Sequence, residues 1–116
     1  MIFNSFNGFD STFFMYYEET DLQKRMAERS LRRVVLNDTN IIHLEGGSKQ
    51  TKLSTIFMFV DSQYKYIKKH YSTIIYMLFY LFITPLILPS IFVRTASKTD
   101  RIKFIKMLLK HLYPIE

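Results

Sequence analysis

Residues Ser72 to Val93 read STIIYMLFYLFITPLILPSIFV, a run without a single charge. At 1.5 Å of rise per residue, a helix of that length measures roughly 30 Å, the thickness of a bilayer's hydrocarbon core. The run predicts one transmembrane helix. Everything before and after it then becomes a flank on one or the other side of the membrane. The approach, YKYIKKHY at residues 64–71, fits that reading. Tyr64, Tyr66 and Tyr71 have amphipathic rings suited to an interface, and Lys65, Lys68 and Lys69 have stems long enough to reach headgroups.

Charge is distributed in the same sense. Residues 1–63 hold seven Lys or Arg against eight Asp or Glu, a net −1, and residues 64–116 hold nine against two, a net +7. A basic excess gathered around an apolar run predicts contact with anionic phospholipid, and not with nucleic acid. The expected headgroup contacts are Lys65, Lys68, Lys69, Arg94, Lys103, Lys106 and Lys110. Arg94, Lys98, Arg101, Lys103 and Lys106 outnumber the lysines on the other side, which predicts a C-terminus on the cytoplasmic or matrix side.

Within the run the hydroxyls are grouped. With Ser72 at zero and 100° per residue, Tyr76 falls near about 40°, Tyr80 near about 80°, Thr73 near about 100° and Thr84 near about 120°. Ser72, Thr73, Tyr76, Tyr80 and Thr84 are therefore the expected helix-packing face, because hydroxyls bond across helices where water is scarce. Ile74, Leu78, Leu81, Phe82, Pro85 and Pro89 form the opposite face. Pro85 and Pro89 each lack an N–H and crowd the carbonyl four residues back, so a kink or a loosened last turn is expected.

Upstream, Thr20 and Gln23 suggest a capping box for an amphipathic helix over Thr20–Leu36, with Asp21 in its first turn. The aromatic stretch before it, from Phe3 to Tyr17, reads as an arm that fills grooves on a partner. Residues 41–60 read either as a short hairpin or as a helix starting near Ser54, since so short an apolar run does not separate the two. Downstream, Thr99 suggests the cap of a last helix reaching Tyr113. Ile102, Phe104, Ile105, Leu108, Leu109 and Leu112 lie on one side of it, with Lys103, Lys106 and Lys110 along the opposite edge.

The expected fold is thus an all-α membrane protein in three parts. Residues 1–63 form an extramembrane arm and helix, 64–93 an interfacial segment and single transmembrane helix, and 94–116 a basic amphipathic tail. Chemistry is sparse. The absence of cysteine removes disulfides and thiolate chemistry. His43, His70 and His111 lack metal-ligand spacing, and no nucleophile–base set, glycine-rich cofactor loop or carboxylate pair stands out. The run holds no ionisable group, so a proton or ion path through it is not expected. An apolar wall for a quinone or lipid needs none.

The reading is a non-catalytic accessory subunit of a large mitochondrial inner-membrane complex, first of the respiratory chain. It would be an integral single-pass protein with no cofactor, packed against other subunits. The alternatives are a subunit of mitochondrial ATP synthase, or a free-standing single-pass receptor or adaptor of viral or secretory-pathway origin.

Overall fold

The computed structural model describes residues 2–34, 37–38, 40, 42, 52–94 and 97–112, and the side chains of all of these except 2, 52 and 90–94. Among them are five helices and no strand: α1 (Ile2–Ser5), α2 (Glu18–Glu28), α3 (Lys52–His70), α4 (Thr73–Arg94) and α5 (Lys98–Leu112).

The helix α3 absorbs both the second half of the 41–60 segment and the expected interfacial segment. Ile56, Val60 and Tyr64 recur at spacing four and share one face, so the apolar period continues through residue 60 and no strand forms there. The hairpin alternative is overturned for residues 52–60. Residues 41 and 43–51, its other half, lie outside the described residues. Lys68, Lys69 and His70 crowd the last turn of α3, where positive charge meets the negative end of the helix dipole.

The chain reverses at Tyr71–Ser72. Ser72 starts α4: its carbonyl accepts from Tyr76 N at 2.9 Å, and its Oγ accepts a long bond from Ile75 N at 3.4 Å. The uncharged run then returns antiparallel along α3, continuing through Pro85 and Pro89. Helix α5 is capped by Ser97, not Thr99. Ser97 Oγ accepts from Asp100 N at 3.1 Å and donates to the Asp100 carboxylate at 2.6 Å, a reciprocal cap. It runs parallel to α3, giving an up-down-up bundle of α3, α4 and α5. Val60, Tyr64, Phe104 and Leu108 are its buried centre, flanked by Phe57, Phe79, Ile87, Leu88 and Met107.

This packing bears directly on the membrane. Among the described residues, no helix is long and apolar enough to cross a membrane. The expected single-pass transmembrane fold is therefore corrected to an all-helical one in which no helix among the described residues spans a membrane. The integral single-pass placement, with its matrix-side C-terminus, falls on the same finding. A physical reason lies in the neighbours of α4. Beside its middle stand Tyr64 and, one turn away, the Asp61–Lys65 ion pair, with nitrogen and oxygen 2.6 Å apart. A helix sunk in hydrocarbon at this depth would take those charges in with it.

The N-terminal layer is not an extended arm. Phe6 and Phe13 are buried within the chain itself. Gly8, at φ 66°, lies where a Cβ would stand 3.0 Å from the Phe3 ring, so this turn favours glycine. Helix α2 starts at Glu18 behind Tyr17 with no side-chain cap, and the Thr20–Gln23 box does not form. It stops at Glu28, well short of Leu36. Ser30 takes φ 58°, and its N–H bonds Ala27 O at 2.9 Å while Leu31 N bonds Met26 O at 3.1 Å. That pair of bonds is a Schellman ending with serine where glycine is usual.

Candidate functional site

The hydroxyl-bearing face of α4 meets α3 and α5 of its own chain. Tyr64 and Thr84 hydroxyls lie 2.5 Å apart in the buried seam. Tyr76 Oη donates to His111 O at 2.6 Å, and Tyr80 Oη donates to Leu108 O at 3.1 Å. These two bonds tie α4 to backbone carbonyls near the C-terminal end of α5. Burial, reinforced by the neighbouring Tyr64 and Tyr80, pushes the Tyr76 phenol up to about 12. Ser72 and Thr73, the other two residues of the predicted face, are exposed at the turn.

The predicted headgroup lysines divide into two sets. Lys69 is committed to carboxylates, reaching Asp10 at 2.7 Å and Asp21 at 2.6 Å. Lys65 is committed to Asp61 and to Thr12 O, at 3.1 Å. Lys68, Lys103, Lys106 and Lys110 are exposed and make no ion pair among the described residues. The Arg94 side chain lies outside the described residues.

Two polar centres were not visible in the local sequence pattern. Asp21 is fully buried and gathers three donors: Arg25 Nε at 2.8 Å, Lys69 Nζ at 2.6 Å and His70 Nε2 at 2.7 Å. Burial pushes its carboxyl up, but the hydrogen bonds from Lys69, His70 and Arg25 outweigh burial and hold it below the usual carboxylate range. Arg25 also donates to Phe6 O at 2.6 Å and Gly8 O at 2.8 Å. One guanidinium therefore closes the N-terminal turn onto α2. Asp61 is the second centre, between Lys65 and His111 Nε2 at 2.9 Å. Burial raises its carboxyl and hydrogen bonds from His111 and Lys65 lower it more, to about 2. The His111 ring stacks on Tyr64, centroids 5.1 Å apart. The i, i+4 spacings Asp21–Arg25 and Asp61–Lys65 are the only parts of these centres that local spacing signals.

Every donor around Asp21 is turned onto a carboxylate or a backbone carbonyl, and Asp21 itself has no exposure. Among the described residues, no group of three His, Asp or Glu side chains could hold a metal ion.

Two adjoining clefts open on the surface. One, of about 640 Å³, is walled by Tyr76, Met77, Tyr80, Leu81 and Leu112, with Thr73 and Lys68 at its edge. The other, of about 590 Å³, is lined by Lys65, Lys68, Lys69, Lys110 and His111 together with Phe13 and Thr12. Lys68 belongs to both. On the outer side of α4, away from both helix partners, Ile74, Leu78, Phe82 and Leu86 form an exposed apolar strip. No protein-family model, curated protein or solved structure matches this chain.

Proposed function

We propose that the chain is a non-catalytic accessory subunit of a larger assembly, seated on a protein partner through the outer face of α4. One observation carries this reading. Ile74, Leu78, Phe82 and Leu86 are 71%, 49%, 64% and 72% exposed along one side of a single helix. A continuous strip of large side chains, as opposed to scattered single ones, marks an interaction surface. Its partner should offer a groove of matching apolar character, as when a helix lies in a hydrophobic cleft. The polar centres support the same reading, because their donors and acceptors are spent on holding the chain together. A respiratory-chain complex is the first host to test and ATP synthase the second.

The test is native electrophoresis of a mild-detergent extract. The tagged wild-type chain should co-migrate with a large complex. The Leu78→Asp/Phe82→Asp variant should migrate alone while keeping its helical circular dichroism. A wild-type chain that migrates at its own mass, or a deletion that leaves assembly intact but abolishes a catalytic step, would sink the proposal.

A further inference from the structure

The two clefts joined at Lys68 have the make-up of a site for an acidic amphiphile, and we infer that they bind one long-chain fatty acid, carboxylate on the lysine side and alkyl chain between α4 and α5.

The tail site follows from how the tyrosines are held. Tyr76 and Tyr80 spend their hydroxyls on His111 O and Leu108 O, at 2.6 and 3.1 Å. Their polar ends are thereby withdrawn, and the rings join Met77, Leu81 and Leu112 as carbon wall. The volume, about 640 Å³, falls in the range of small-molecule sites, which are mostly apolar with a few polar groups fixing orientation.

The head site follows from charge. Four lysines line the adjoining cleft, but Lys65 and Lys69 already face Asp61, Asp10 and Asp21. Lys68 and Lys110 face no carboxylate among the described residues. The unmatched charge is small, which suits one carboxylate better than a polyphosphorylated head. Lys68 lines both clefts and so sets the polarity of the ligand. A carboxylate there would accept charge-assisted hydrogen bonds from the ammonium groups. The cleft borders the Ile74–Leu78–Phe82 strip at Leu81, and the substitutions below lie outside that strip.

The test uses the full chain and monomeric palmitate in isothermal titration. Saturable binding of one palmitate per chain is expected. Lys68→Glu/Lys110→Glu should weaken it by about tenfold or more, since two attractions become repulsions. The same variant should leave hexadecanol binding unchanged. Met77→Asp, at a position 64% exposed and outside the buried core, should weaken palmitate and hexadecanol alike. Circular dichroism confirms that each variant is folded. The inference is overturned if palmitate shows no saturable binding, or if both variants bind it as the wild type does. It is equally overturned if hexadecyltrimethylammonium binds as tightly as palmitate. Adsorption to phosphatidylglycerol vesicles without binding of monomeric palmitate would assign the lysines to a bilayer surface and also overturn it.

Discussion

At the scale of single residues, the backbone carries its cost in the N-terminal layer. Asn7, Tyr16, Tyr17 and Ser30 all take positive φ without being glycine. For such residues the left-handed region costs roughly 1–2 kcal/mol each. Tyr16 and Tyr17 recover some of this by packing. Their rings lie 5.7 and 5.5 Å from Phe59, and Tyr17 lies 5.2 Å from Tyr66. Ser30 has no comparable contact, being exposed at the end of α2. Ser30→Gly should therefore stabilise the protein by about 0.5–1 kcal/mol, through relief of strain at the helix ending. Urea unfolding with an unchanged m-value measures it. A loss of stability would show that the serine side chain contributes more than its φ costs. At Gly8 the opposite holds, because both φ and the Phe3 ring, 3.0 Å from where a Cβ would stand, disfavour a side chain.

At the scale of elements, what could be read in advance was periodicity, and what could not was pairing. The run at 72–93 is helical over all but its first residue, the tail is helical from Lys98 to Leu112, and the hydroxyls of Tyr76, Tyr80 and Thr84 do share one side. All three depend on local spacing. The role of that side depended on a partner that spacing does not name. Tyr64 was read as an interfacial anchor because it precedes an apolar run, yet it is the fully buried centre of the bundle. The reversal at Tyr71–Ser72 makes the difference. With α3 and α4 in line, Tyr64 would stand at a membrane boundary; with α4 folded back, it meets Thr84. Likewise local spacing leaves Lys69 for headgroups, because the buried Asp21 that takes it lies far away in sequence. The α3–α4 seam supplies its own test. Tyr64→Phe leaves the buried Thr84 hydroxyl without its partner and should cost about 1–3 kcal/mol. Tyr64→Phe/Thr84→Val removes both polar atoms and should recover most of the loss, because the unmet group and not the missing bond dominates. Equal destabilisation by single and double variants would refute a direct bond.

At the scale of the whole molecule, two layers of different cohesion are joined by a few charged contacts. The α3–α4–α5 bundle is held by apolar burial around Val60, Tyr64, Phe104 and Leu108. The N-terminal layer has little shared core with it. Its ties include the Asp21 and Asp10 bonds to Lys69 and His70, Ser62 Oγ donating to Met15 O at 2.7 Å, and the Tyr16 and Tyr17 rings. Acid should act on both layers. A carboxyl held below its ordinary value stabilises the fold above that value and loses the contribution as pH falls towards the folded-state pKa. For Asp61 the window runs from 3.8 down to about 2. The contribution is on the order of 2 kcal/mol. Asp21 shifts in the same direction, so its stabilisation also disappears on acidification. Asp21→Asn makes the neutral state permanent at pH 7. It leaves Lys69, His70 and Arg25 facing an amide at a buried position while Lys69 and Arg25 keep part of their surface in water, and losing the charged acceptor there costs about 1–3 kcal/mol. That cost falls on the joint between layers, so the layers should separate in their dynamics. Amide hydrogen exchange in Asp21→Asn should accelerate across residues 6–28 while Val60, Tyr64 and Leu108 keep their protection, a sub-global opening of one cooperative unit. The bundle's Asp61→Asn variant should instead speed exchange in α3 and α5. Uniform acceleration across all five helices in Asp21→Asn would mean that the chain unfolds as one unit and that Asp21 belongs to the common core.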